Sequence, residues 1–156
     1  MSDEQSKEIA EWRQTVRALT AVPLRGIQPG YVDGRTPVRI RTADAAYLAL
    51  ADAQVTVSSD PDERSMWILE PHGREGVVIR HAVDGSGLSV RVSRGRARLV
   101  PVTGGHPWVL RARSKGVAIV DALSLTRGWI ATRRRVALGP GCGDPAELFT
   151  IGPVPA

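Results

Sequence analysis

From about residue 38 to residue 153, apolar and polar residues alternate in short runs with the two-residue period of a strand that buries one face. The pattern is strongest in Trp67-Ile68-Leu69, Trp108-Val109-Leu110 and Phe149-Thr150-Ile151, each 41 residues after the one before. A large aromatic two residues before an aliphatic, recurring at a constant interval, marks an internal repeat.

Each of three units of about 40 residues holds four such runs. The first strands are expected at 38–41, 77–80 and 117–120, the second at 47–50, 88–91 and 129–132, and the third at 55–57, 97–99 and 136–138. The aromatic strands come fourth. In the first strands Val38, Ile40, Val77, Ile79, Val117 and Ile119 face inward, and Arg39, Arg41 and Arg80 face water. In 129–132 alternation does not decide between Trp129 and Ile130 as the inward residue.

The pattern ahead of the repeats is helical. Ile9, Trp12, Val16 and Leu19 form one stripe over residues 3–20, with Ser2 or Asp3 as cap and Pro23, Gly26, Pro29 and Gly30 as stop signals. This helix either docks on the domain or presents its stripe to a partner. The chain is therefore divided into residues 1–35, helix and linker, and residues 36–156, the repeat domain.

One unit cannot bury its apolar face alone. Three units closing a common sheet bury a shared core and remove exposed edges. Four strands, three times over, resembles the β-trefoil: an all-β fold in which two strands of each repeat build a six-stranded barrel and the other two form hairpins over one end.

Length and composition fit this picture. The 156 residues suit one domain, and 42% hydrophobic content supplies a core. No apolar run approaches the roughly 18 residues of a membrane span. Residues 1–8 are polar and acidic, unlike a secretory leader, so a cytoplasmic location is expected. Cys142 is the single cysteine, which leaves no internal disulfide. Of 21 basic residues only Lys7 and Lys115 are lysine, a bacterial-like bias that a GC-rich genome produces.

Charge breaks the symmetry of the repeats. Residues 38–76 carry 4 basic and 7 acidic side chains, residues 77–116 carry 8 and 1, and residues 117–156 carry 4 and 3. Arg91, Arg94, Arg96 and Arg98 surround the turn between strands two and three of the second repeat, and Arg133, Arg134 and Arg135 fill the same turn of the third. In a β-trefoil these hairpins are neighbours. Together they suit a sulfated sugar, a nucleic acid phosphate or an acidic protein face. No aromatic interleaves them for base stacking, which disfavours nucleic acid.

Catalytic chemistry is not framed. His72, His81 and His106 lie apart, and Cys142 lacks a partner at metal-ligand spacing. The glycine-rich run 139–145 lacks the Lys-Ser/Thr of a phosphate loop. The chain is expected not to be an enzyme and to carry no cofactor or metal.

Two family resemblances bear on function. Ricin-type trefoil lectins carry Gln-x-Trp in each repeat. Here the equivalents are Ser65-Met66-Trp67, His106-Pro107-Trp108 and Glu147-Leu148-Phe149, and the chain has no asparagine for sugar hydroxyls. Asp44, Asp84 and Asp121 recur after strand one, near where that family places its sugar-binding acid. The C-terminal third, with Gly128-Trp129-Ile130-Ala131, Arg135-Val136-Ala137-Leu138 and residues 148–154, resembles the close of the fungal trefoil serine-protease inhibitors. Ala46-Tyr47-Leu48-Ala49-Leu50 also resembles fascin-like trefoils. The expectation is a non-catalytic module for a protein partner, protease inhibition being its sharpest version. The alternative is a lectin-like or polyanion-binding module using the basic hairpins.

Overall fold

Every expected strand forms, and the apolar pair at its centre explains why. The computed structural model describes residues 31–73, 76–113, 116–124, 127–131, 136–140 and 148–154. The helix expected to carry Ile9, Trp12, Val16 and Leu19 lies outside the described residues, as do Arg133, Arg134, Arg135 and residues 141–145 of the glycine-rich run. The first repeat contains β1 (Pro37–Arg41), β2 (Tyr47–Ala51), β3 (Gln54–Ser58) and β4 (Trp67–His72). The second contains β5 (Gly76–His81), β6 (Gly87–Ser93), β7 (Arg96–Val102) and β8 (Trp108–Arg113). The third contains β9 (Gly116–Asp121), β10 (Arg127–Ala131), β11 (Val136–Pro140) and β12 (Leu148–Pro153).

First and fourth strands close a ring. β1 pairs β12, β12 pairs β9, β9 pairs β8, β8 pairs β5, β5 pairs β4 and β4 returns to β1, all antiparallel. Second and third strands form the hairpins β2–β3, β6–β7 and β10–β11. Six barrel strands and three hairpins in threefold relation make a β-trefoil. Ring closure leaves the barrel no edge to aggregate.

The inward set of the first strands is buried as alternation demands, and Trp67, Trp108 and Phe149 join it in one cluster. Tyr31 and Val32, ahead of β1, pack against that cluster. The indole nitrogens reveal the threefold relation directly. Trp67 Nε1 donates to the Leu48 carbonyl at 2.9 Å, and Trp108 Nε1 donates to the Leu88 carbonyl at 3.0 Å. Each bond ties a fourth strand to the second strand of its own repeat and satisfies a buried donor.

The third repeat packs differently. Arg41 faces Tyr47, Arg80 faces Gly87 and Val120 faces Gly128 across their strand pairs, so Leu48, Leu88 and Trp129 are counterparts. Trp129 is the inward residue of its strand, 1% exposed, while Ile130 is half-buried. A larger side chain on β10 thus accompanies a smaller one, Phe149, on β12. Exchanging size between facing positions keeps the volume of a close-packed core constant.

Of the arginines expected to face water, Arg39 and Arg80 are only partly solvated. Arg41 is exposed, with its guanidinium 5.2 Å from the Tyr47 ring centre. Arg39 instead donates to Ser65 Oγ at 3.3 Å and to the Asp62 carbonyl at 3.4 Å. Arg80 donates to Glu70 Oε2 at 2.7 Å and to the Gly104 carbonyl at 3.1 Å, with longer contacts to Gly85 and Thr103. The long side chains lie along the outside of the barrel and fasten loops to it.

Candidate functional site

The β6–β7 hairpin turns through Arg94-Gly95, with φ of 53° and 75°. Two positive φ values at the centre of a two-residue loop give the tight turn whose twist matches paired strands. That turn fixes register, so Ser93 faces Arg96 and Arg91 faces Arg98. Leu88, Val90 and Leu99 take the core side, which leaves Arg91, Arg96 and Arg98 on the outer side. All four expected arginines of this hairpin are exposed.

No hydrogen bond or ion pair engages Arg91, Arg94, Arg96 or Arg98 among the described residues. Arg64 pairs with Asp62 at 2.7 Å, and Arg80 pairs with Glu70 at 2.7 Å. The Arg64 hydrogen bond holds the Asp62 carboxyl below its ordinary value. Arg91 opposite Arg98 places like charges on a cross-strand pair, an arrangement that opposes pairing by a fraction of a kcal/mol, up to about 1 kcal/mol. Among the described residues, no carboxylate compensates the positive charge of this hairpin.

The neighbouring hairpins converge here as expected. β11 pairs β7 through Ala137 and Arg98. β3 approaches both without pairing, and a depression of about 610 Å³ lies where the three third strands meet. Its walls include Gln54 and Thr56 from β3, Arg96 and Arg98 from β7, and Val136 and Ala137 from β11. A second hollow of about 600 Å³ is bounded by Ser93, Arg94, Arg96 and Arg98. Arg96 and Arg98 therefore border both. Reading the sequence missed Gln54, Thr56, Val136 and Ala137, because only the register of three hairpins distant in sequence brings them together.

The other set of candidates sits where strand one ends. Thr42, His81 and Asp121 occupy the equivalent place in the three repeats, and all three are buried. Asp44, Asp84 and Asp121, which recur after strand one in the sequence, do not share one position: Asp121 ends β9, whereas Asp44 and Asp84 lie in the loops that follow β1 and β5. Asp44 is exposed in the β1–β2 loop. Asp84 accepts from the Ser86 N–H at 2.8 Å, which lowers its pKa. Asp121 accepts from the Leu123 N–H at 2.8 Å and from His106 Nε2 at 2.7 Å.

The positions equivalent to the lectin glutamine are also engaged within the chain. Ser65 closes a capping box with Asp62 at the 3-10 turn Glu63–Ser65 and is fully buried. His106 packs on Trp108 with ring centres 4.9 Å apart while it holds Asp121. His81 packs edge-on to Trp67, and its Nε2 donates to the Arg64 carbonyl at 3.0 Å. Glu147 lies outside the described residues. No cluster of three or more His, Cys, Asp or Glu side chains suited to a metal ion occurs among the described residues. Among them, too, no helix is long and apolar enough to cross a membrane.

No family model matches the chain, and no curated protein matches it. Solved structures do match. A ricin B-like lectin from Macrolepiota procera, in complex with lactose, is 15% identical with a TM-score of 0.68, over 79% of this chain and 99% of the lectin. The Rhizoctonia solani agglutinin is 15% identical with a TM-score of 0.67, over 76% of this chain and 95% of that one. A GlcNAcα1-4Gal-releasing endo-β-galactosidase from Clostridium perfringens is 10% identical with a TM-score of 0.69, over 78% of this chain and 33% of the enzyme. At such identities the likeness shows the β-trefoil fold.

Proposed function

We propose that this chain is a non-catalytic carbohydrate-recognition module whose ligand is an acidic glycan. The single observation carrying the reading is the β6–β7 hairpin, with four exposed guanidiniums and no internal partner for any of them among the described residues. Likeness to a lectin and an agglutinin supports the carbohydrate class. The engagement of Ser65, and of His106 with Asp121, argues against a neutral-sugar site in the ricin style.

The protein-partner reading, with protease inhibition as its sharpest version, draws less support. Of the residues that carried the inhibitor resemblance, Trp129, Val136, Leu148, Phe149 and Ile151 are buried. They report how a trefoil packs, and packing is shared across functions.

Chromatography on immobilised heparin tests the proposal. Retention at low salt is expected, falling steeply as salt rises because counterion release drives binding. Arg96→Ala with Arg98→Ala should elute earlier than the equal-charge control Arg35→Ala with Arg41→Ala. Equal elution of the two double variants, or no retention of the parent chain, overturns it.

A further inference from the structure

Resting on the acidic-glycan reading, we infer that the glycan is held once per chain, at the depression on the pseudo-threefold axis. A trefoil offers three equivalent sites around its sides, or one site where the repeats meet. The side positions described here have engaged their polar groups internally: Ser65 with Asp62, and His106 with Asp121. Among the described residues, no side-chain hydrogen bond or ion pair engages Gln54, Thr56, Arg96 or Arg98 in the axial depression.

Its three walls differ chemically, because each repeat contributes a different third strand. β3 brings an amide and a hydroxyl in Gln54 and Thr56. β7 brings the guanidiniums of Arg96 and Arg98. β11 brings the small apolar surfaces of Val136 and Ala137. None of the lining residues is a carboxylate. A sugar unit has the same three requirements: donors and acceptors for hydroxyls, cations for sulfate or carboxylate, and an apolar face for its C–H bonds. Threefold symmetry is lost among the walls, so one orientation is preferred over the other two. The volume of about 610 Å³ falls within the roughly 300–1,000 Å³ of small-molecule sites.

The second hollow extends the site. Arg96 and Arg98 line both it and the axial depression, and Ser93 and Arg94 complete its lining. A ligand with anionic groups on successive units reaches both hollows across one pair of guanidiniums. The fitting ligand is therefore a short sulfated oligosaccharide, held by its end unit in the axial depression.

Titration calorimetry with a heparin tetrasaccharide tests location separately from ligand class. The parent chain should bind one tetrasaccharide per chain. Gln54→Glu and Ala137→Glu, each placing a carboxylate in the wall, should weaken binding at least tenfold. Ser59→Glu, the same charge on an exposed loop, should change it less than threefold. Gln54 is exposed, so its replacement tests the site even where Ala137→Glu fails to fold. Three tetrasaccharides per chain, or Gln54→Glu binding as Ser59→Glu does, overturns the axial site and leaves the acidic-glycan reading intact. No binding by the parent chain, with no retention on heparin, overturns both.

Discussion

The indole of Trp129 meets the ring of Phe149 edge to face, with centroids 5.7 Å apart and planes at 89°. Trp108 also meets Trp129 edge to face, at 5.4 Å and 79°. Trp129 Nε1 is buried without a partner among the described residues, whereas the indoles of Trp67 and Trp108 each reach a second-strand carbonyl.

That contrast predicts a compensating pair. Trp129→Leu alone opens a cavity and should cost about 2–4 kcal/mol. Phe149→Trp alone overfills the third repeat and should cost about 1–3 kcal/mol. Combined, they restore the arrangement of the first two repeats, give the new indole the carbonyl of residue 129 and remove an orphaned donor. Urea unfolding of all four species should show coupling above about 1 kcal/mol, with the double variant near the parent. Strict additivity would show that the exchange of size is not what links the two positions.

The first hairpin turns through Asp52-Ala53 with φ of 53° and 59°. A left-handed conformation costs a Cβ-bearing residue about 1–2 kcal/mol, and the second hairpin avoids half of this with Gly95. Ala53→Gly should therefore stabilise the fold by about 0.5–1 kcal/mol, raising the melting temperature by a few degrees. Gly95→Ala should lower it by a similar amount. A lower melting temperature for Ala53→Gly would contradict the assigned turn.

Gly87 and Gly105 touch back to back. A Cβ on Gly87 would sit 2.5 Å from Gly105 Cα, and one on Gly105, at φ 97°, would sit 2.6 Å from Val78 Cγ1. Gly87→Ala meets backbone, which has nowhere to go, and should cost more than about 3 kcal/mol. Gly105→Ala should be partly rescued by Val78→Ala, since that clash is with a methyl group. Thermal melts of the single and double variants check the ranking.

Among the described residues, three carboxyls are held below their ordinary values. Asp33 is lowered first by the Thr36 hydroxyl, Asp62 by the Arg64 side chain and Asp84 by the Ser86 N–H. A depressed carboxylate binds its proton more readily when unfolded, so its stabilisation is complete above the unfolded value of about 3.9 and is lost as pH falls through the folded value. Melting temperature should hold steady above about pH 5 and drop below about pH 4. Asp33→Ala should lower it at pH 7 and narrow the gap to the parent at pH 2.5. An equal gap at both pH values would remove Asp33 from the account.

The barrel was legible because an inward aromatic-x-aliphatic pair must recur wherever three repeats share one core. The side of Trp129 was not legible, since Trp129 and Ile130 are both apolar. Only the register of β10 against β9 and β11 settles it. The different places that Asp44, Asp84 and Asp121 take after strand one were not legible, since alternation does not mark where strand one ends and the step from strand one to strand two lengthens between repeats, from Arg41–Tyr47 to Arg80–Gly87 to Val120–Gly128. Arg91, Arg94, Arg96 and Arg98 were legible as one exposed group, because a tight turn fixes its neighbours locally. Their meeting with Gln54 and Ala137 depends on contacts between repeats, which no local pattern records.

The barrel closes where β1 meets β12, with Val38 opposite Pro153. Partners so far apart in sequence make the last contact expensive in chain entropy, so refolding should take milliseconds to seconds rather than microseconds. Until β12 arrives, β1 and β9 are both bare edges, and a chain halted at that stage would be drawn to pair with its own copies.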